Sequence, residues 1–221
     1  MRPPQTILAP SQAENLLGDF QSLADQVGSA DGLALAGAVN ASLRLDNVTT
    51  FPGLKTFVEN YRTQLLVPLE LPLICRAYAH ANKNEFSELF ALDQQLAADP
   101  RLNLFALASK RIGRIQIKRL RPLRDQRGLQ RYIRAVDSGE ANAWHTLVYG
   151  ITLANFSFPL RQGLLNYTEQ VLNGFLHSSG LGSRFPEADC QHLLEENVAL
   201  IPPLLDGLLS NCSYSPRLQI T

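Results

Sequence analysis

The stretch RLNLFALASKRIGRIQIKRLRP, residues 101–122, carries the clearest helical pattern in the chain. Its apolar side chains recur at steps of three and four residues, which places them on one face of a helix. Pro122 ends the pattern because a proline in a helix interior removes a hydrogen bond and clashes with the preceding turn. The stretch therefore predicts a long helix over residues 101–121.

The same spacing recurs along most of the chain, whereas the alternation typical of a half-buried strand hardly occurs. We predict an all-α fold, a single compact bundle of about ten helices. A capping box at residues 11–14 begins the first helix, and Pro68 and Pro72 open the fourth. The fourth helix spans about 68–81, and the other predicted helices include those at about 29–45, 53–64, 123–136, 140–155 and 159–178. We expect one domain over residues 1–221, with a flexible N-terminus at 1–10 and a flexible tail at 211–221.

Composition excludes several classes of protein. The chain has 221 residues, 45% of them hydrophobic and 18% charged, with no formal net charge, so it is not a disordered tail. No apolar run is long enough to span a bilayer, and we expect no membrane association. Three widely spaced cysteines and an N-terminus without an export signal predict a protein of the reducing cytoplasm.

No motif of catalytic or cofactor chemistry occurs. The chain lacks both glycine-rich phosphate loops and the paired cysteine or histidine spacings of zinc sites. The closest approach is Cys190 and His192, which a helix would direct to different faces. His145 stands alone in the sequence, and we interpret it, like Gly150, as a packing residue. We therefore expect no enzyme activity, no cofactor and no metal site.

The unusual feature is a basic stripe at residues 110–134, which holds ten of the 20 lysines and arginines and a single acid, Asp125. Since the whole chain is neutral, the remainder is acidic. Four cations step by three and four along the long helix: Arg111, Arg114, Lys118 and Arg121. We predict that they lie opposite Ile112, Ile115 and Leu120 and that Arg127, Arg131 and Arg134 continue the stripe.

Three interpretations of the basic stripe stay open: a solvated face, a docking surface for an acidic protein, and a site for nucleic acid or phosphate. Tyr132 is the only aromatic residue among the cations, which argues against a stacking platform for single strands. We favour the acidic protein and expect no nucleic-acid partner. A helical polyanion-binding module that uses residues 110–134 is the alternative function.

Four sequence blocks, in order, resemble a known family. They are LPLICRAY (71–78) with LFALD (89–93), ASKRIG (108–113), WHTLVYG (144–150) followed by Leu181 and Gly182, and the terminal SPRLQIT (215–221). Together they are similar to the urease accessory protein UreF family over roughly residues 55–221. The family's N-terminal Leu-Pro-x-Gly-x-Phe-x-His-Ser segment has no counterpart in residues 18–45, so the chain resembles a divergent member.

The resemblance implies a non-catalytic, all-α homodimeric scaffold. Such a scaffold joins an accessory protein of the D/H type and recruits or regulates the GTPase UreG, so that nickel enters apo-urease. Whether the chain itself binds nickel stays open. The resemblance adds partner-binding residues in the tail, namely Tyr214, Ser215, Arg217 and Leu218. Arg217 would fix a loop by forked hydrogen bonds, and the alternative for this segment is a frayed terminus.

Overall fold

A computed structural model describes residues 48–99, 102, 106–177 and 184–212. These residues are mostly helical and contain no strand, so the all-α prediction is confirmed. The helices are α1 (Phe51–Tyr61), α2 (Leu71–Asn82), α3 (Phe86–Ala98), α4 (Ala106–Leu120), α5 (Arg127–Ser138), α6 (His145–Asn155), α7 (Leu160–His177), α8 (Glu187–Ala199) and α9 (Ile201–Cys212). The helices predicted before residue 48 and the N-terminus at 1–10 lie outside the described residues.

Residues 51–82 form one continuous helical rod, because a π-helical segment, Arg62–Glu70, joins α1 to α2. The prediction of a new helix beginning at Pro68 is wrong, since this proline lies inside the π-helical segment. A proline lacks the N–H for the helical ladder, and its ring crowds the carbonyl four residues earlier. The wider π turn gives the ring room, and the rod continues without a break.

Helix α6 lies at the centre of the described structure. Its residues from His145 to Ala154 are all buried, which is the pattern of a helix surrounded by others. It packs most extensively on α2 and next on α4. At Gly150 an added Cβ would stand 2.6 Å from the backbone oxygen of Ile74, so glycine allows α6 to approach α2 closely. The predicted packing role of Gly150 is confirmed.

The apolar core consists of two clusters that meet at α2 and α6. One lies against α1, α7, α8 and α9, and Phe175 and Tyr61 are its largest fully buried side chains. The other lies against α3, α4 and α5 and includes Tyr132 and Trp144. Helix α2 contributes side chains to both clusters, Ile74 to the first and Leu73 to the second. Both clusters therefore fix the position of α6.

Helix boundaries differ from the predictions mainly where loops intervene. α5 begins at Arg127 rather than near residue 123, and α6 begins at His145 rather than near residue 140. The long helix is described from Ala106 and ends at Leu120. The described residues contain slightly fewer helices than the prediction of about ten for the whole chain.

Candidate functional site

The solvent face of α4 presents three cations of the predicted stripe. Arg111, Arg114 and Lys118 are exposed, and none of them pairs with a carboxylate of the described residues. We call these three residues the α4 basic face. Ile112 and Leu120 are buried on the opposite side, as predicted.

Ile115 contradicts the prediction, because its side chain is 42% exposed rather than buried opposite the cations. Leu107, two helical turns earlier, is 86% exposed. A residue eight positions further along a helix lies close to the same face, so both apolar side chains stand beside the cations. The face thus combines exposed cations with two exposed apolar side chains.

Two other cations of the stripe are engaged within the fold. The guanidinium group of Arg121 lies 2.5 Å from a carboxylate oxygen of Asp137 and so ties the end of α4 to α5. The ammonium group of Lys110 stands 4.9 Å from the centre of the Trp144 ring, within the range of a cation–π contact. Arg121 is also one of the predicted partner-binding residues, and that role stays a prediction beside this intramolecular ion pair.

The buried side of α4 fits closely against the loop that precedes α6. A Cβ added at Gly113 would lie 1.8 Å from the carbonyl oxygen of Ala143, so any larger residue would push α4 away from this loop. Ala143 itself has a φ of +58°, a left-handed conformation that an alanine adopts only when its surroundings impose it. The close contact between Gly113 and Ala143 therefore depends on the residues that hold this loop in its conformation.

Asp93 on α3 holds that loop. Its buried carboxyl group accepts hydrogen bonds from the backbone N–H groups of Asn142 and Ala143, at 2.8 and 3.1 Å. The Asn142 side chain donates to it at 2.7 Å, and the Tyr132 hydroxyl donates at 2.9 Å. Four donors converge on one carboxyl group, so its removal would leave all four without their partner. Asp93 is the last residue of the block LFALD (89–93), and residue spacing alone predicted no role for it.

A chain of buried hydrogen bonds runs from α4 through the core. The Ser109 hydroxyl lies 2.7 Å from Nδ1 of His145, and Nε2 of His145 lies 2.6 Å from the hydroxyl oxygen of Tyr167. The Tyr167 hydroxyl donates to Oε2 of Glu70 at 3.0 Å, and the Tyr61 hydroxyl donates to the same oxygen at 2.6 Å. We call these five residues the buried relay. It connects α1, the π-helical segment, α4, α6 and α7.

The direction of each hydrogen bond in the relay follows from its neighbours. Because Tyr167 donates its proton to Glu70, its oxygen accepts from Nε2–H of His145. Nδ1 then carries no proton and accepts from the Ser109 hydroxyl. This assignment makes His145 a neutral imidazole with both nitrogens satisfied, and its burial agrees with the predicted packing role.

Burial sets the protonation of the relay. It lowers the pKa of His145 to about 3 and raises the pKa of Glu70, although the two tyrosine hydrogen bonds oppose the second shift. Burial and the nearby Glu70 raise the pKa of both Tyr61 and Tyr167. All five members are buried, so they have no contact with a dissolved substrate. Through Ser109 the relay joins the inner side of α4 to the core.

The remaining predicted residues fall in two places. Tyr214, Ser215, Arg217 and Leu218 lie outside the described residues. Arg131 and Arg134 do not extend the α4 basic face, because they line a separate groove between α3 and α5. The basic stripe of the sequence is therefore divided over at least two surfaces.

Within the described ranges, no three histidine, cysteine, aspartate or glutamate side chains are grouped so that they could hold a metal ion. In the same ranges, none of the helices combines the length and the apolar character that a bilayer span requires.

Comparison with known protein families identifies the family of this chain. The family model UreF matches residues 48–179, which include helices α1 to α7. The chain belongs to the UreF family. UreF proteins are non-catalytic accessory proteins of urease, so family membership gives this chain a role in urease maturation. No curated protein matches the chain significantly in sequence.

The family match covers the α4 basic face, the buried relay and Asp93, whereas the tail residues predicted to bind a partner lie beyond its end. Of the five relay residues only His145 was assigned a role from the sequence, and the other four were missed. A signal for Glu70 was present: it is the single charged residue in the apolar run at 65–75. A charge embedded in such a run is buried with its helix and needs hydrogen-bond partners.

Proposed function

We propose that this UreF protein is a homodimeric cytoplasmic scaffold that joins a D/H-type accessory protein to the GTPase UreG, so that nickel enters apo-urease. The observation that carries the proposal is the UreF match over residues 48–179. The scaffold would act through its surfaces rather than through a reaction at its core, with nickel as cargo.

The geometry of α4 supports docking at this helix. Its outer face holds two exposed apolar side chains and three cations that pair with no carboxylate in the part of the chain that the structure describes, while the Asp93-held loop and the buried relay contact its inner face. A rigid surface loses little conformational entropy on binding. Exposed cations speed the encounter with an acidic surface, and apolar contacts then add to the lifetime of the complex.

The proposal is tested by co-expressing the tagged protein with the D/H-type protein and the GTPase, and by measuring the recovered complex and urease activity. We expect Arg114→Glu to weaken assembly about three- to tenfold, as for a reversed charge at an interface. Lys83→Glu is the matched control, because it reverses one exposed cation at the end of α2.

Two results would contradict the proposal at different levels. Equal assembly by Arg114→Glu and Lys83→Glu would show that the α4 basic face is not the docking surface. Failure of the wild-type protein to form any complex, together with full urease activity in its absence, would refute the scaffold itself.

We propose a second contact in the tail, where Arg217 binds the D/H-type protein. Arg217→Ala is expected to reduce recovery of that protein, and Arg217→Lys separates charge from geometry, because lysine keeps the charge but lacks the planar fork of donors. Unchanged recovery with Arg217→Ala would contradict this contact.

The α4 basic face also keeps the alternative of a polyanion-binding module. Three cations on phosphates would give a slope of roughly −2.7 in a plot of log binding constant against log salt concentration. A titration of labelled duplex DNA over a range of salt measures this slope. Absence of binding at low salt would eliminate the alternative.

A further inference from the structure

A second basic surface lies in an open groove between α3 and α5. Its volume is about 520 Å³, and it is lined by Ser87 and Phe90 of α3, by Arg131, Arg134, Ala135 and Ser138 of α5, and by Glu140 in the following turn. This volume falls within the range of ligand-binding clefts. None of the lining residues belongs to α4, so the groove is distinct from the α4 basic face.

The cations of the groove have unused hydrogen-bonding capacity. Arg131 and Arg134 are exposed, stand three positions apart on α5, and pair with no carboxylate of the described residues. Nε of Arg134 makes a long contact of 3.4 Å with the carbonyl of Gln130 in its own helix. The two guanidinium groups can therefore offer forked donors to carboxylates in the groove.

The groove is held in shape by contacts on both of its walls. The rings of Phe90 and Tyr132 meet edge to face, with centres 5.7 Å apart, and Tyr132 is anchored by its hydrogen bond to Asp93. The side chain of Gln94 on α3 donates to the carbonyl of Glu140 at 2.7 Å and so ties α3 to the turn after α5. A preformed groove spends little free energy on ordering when it binds.

We propose that this groove binds an acidic peptide segment of a partner protein. Two carboxylates of the segment would pair with Arg131 and Arg134, and an apolar side chain would lie on Phe90. The carboxylate of Glu140 disfavours a further acid at its end of the groove, which gives the segment a direction. The space is larger than a phosphate ion needs, and its open mouth admits a chain that continues on either side.

This proposal goes beyond the scaffold function, since it needs no urease component. The test uses the full chain and a fluorescein-labelled peptide of sequence Gly-Ser-Asp-Glu-Phe-Asp-Gly-Ser-Gly in a fluorescence anisotropy titration. We expect R131Q/R134Q to weaken binding about tenfold or more, as for the loss of two charge-assisted contacts. The variant R111Q/R114Q removes the same charge at the same spacing from the α4 basic face and so reports whether the peptide binds there instead. The control K55Q/K83Q removes two exposed cations that lie outside both surfaces, and it should leave affinity within about twofold.

A further variant, R131K/R134K, keeps the charge and lowers the risk that loss of binding reflects misfolding. It is expected to bind with intermediate affinity, because lysine is a point charge without the fork. The proposal is overturned if R111Q/R114Q weakens binding as much as R131Q/R134Q does. It is also overturned if the peptide with Asn and Gln in place of its acids binds equally well, or if inorganic phosphate or single-stranded oligo-dT binds the same arginines more tightly than the peptide.

Discussion

Replacement of His145 by glutamine should change how the stability of the protein depends on pH. In the folded protein this imidazole stays neutral, because burial lowers its pKa to about 3 from an ordinary 6.5. In the unfolded chain it takes up a proton near pH 6.5. Between these pKa values the unfolded state binds one more proton than the folded state. The contribution of His145 to the free energy of unfolding is therefore fully present above pH 6.5 and is lost progressively as the pH falls.

The size of the effect follows from the two pKa values. Between pH 7 and pH 5 the unfolded imidazole becomes almost fully protonated while the folded one stays neutral, which lowers the free energy of unfolding by about 1.9 kcal/mol. This change in the free energy of unfolding depends mainly on the pKa of the imidazole in the unfolded chain, since pH 5 is well above its pKa in the folded protein. Glu70 acts in the opposite direction, because burial raises its pKa, so the folded carboxyl group takes up its proton at a higher pH than the unfolded one.

The comparison of wild type with His145→Gln removes the contribution of Glu70, which both proteins retain. Urea unfolding at pH 7 and at pH 5, followed by circular dichroism, gives the free energy of unfolding at each pH. We expect the wild type to lose about 2 kcal/mol more than the variant between the two conditions. His145→Gln itself should cost about 1–3 kcal/mol at pH 7, because it disturbs hydrogen bonds to Ser109 and Tyr167.

The control is His192→Gln, which removes a histidine whose side chain on α8 is 73% exposed. Its ring lies on the surface, away from the relay, so this variant should keep the free energy of unfolding at pH 7 within about 0.5 kcal/mol of the wild type. If wild type and His145→Gln lose the same stability between pH 7 and pH 5, then His145 is not a neutral buried imidazole and the direction assigned to the relay is incorrect.

Two further predictions concern the packing behind α4 and α6. Gly150→Ala should destabilise the protein by about 2 kcal/mol in urea unfolding, because the new Cβ would meet backbone of α2 at 2.6 Å. The control is Gly207→Ala, whose new Cβ meets no atom within 4 Å and which should stabilise the protein by about 0.5–1 kcal/mol. Equal effects of the two substitutions would contradict the close approach of α6 to α2. Asp93→Asn should lower the free energy of unfolding by about 3 kcal/mol in the same measurement, since the NH₂ group of the new amide would point a donor at the N–H donor of Ala143. A loss below about 0.5 kcal/mol would show that the loop does not depend on this carboxyl group.

Much of the fold could be predicted from residue spacing, and the errors have identifiable causes. The start at Pro68 was wrong because a rule for α-helices was applied to a segment with π-helical turns. Ile115 was assigned to the core because its spacing suits either side of α4, and neighbouring elements decide which side is covered. A pattern along one helix contains no information on how far the packing of other helices extends around it.

In the candidate site, too, the residue types could be read from the sequence but their arrangement in space could not. The cations of residues 110–134 were visible in the sequence, but their separation into the α4 basic face, the Arg121–Asp137 ion pair and the α3–α5 groove was not. The chain turns between α4 and α5, and each helix then packs on a different partner, α6 or α3. Residues that are continuous in sequence therefore face different surroundings.

The sequence by itself determined the all-α class, the concentration of charge at residues 110–134 and the UreF resemblance that the family match confirms. These properties depend on local spacing and on residue order. Only the tertiary structure decided that Ser109, His145, Tyr167, Glu70 and Tyr61 form one buried relay, because these residues are up to 106 positions apart and lie on five different elements. Hydrogen bonds between distant residues are selected by how the helices pack, since a polar group buried by that packing must find its partner there.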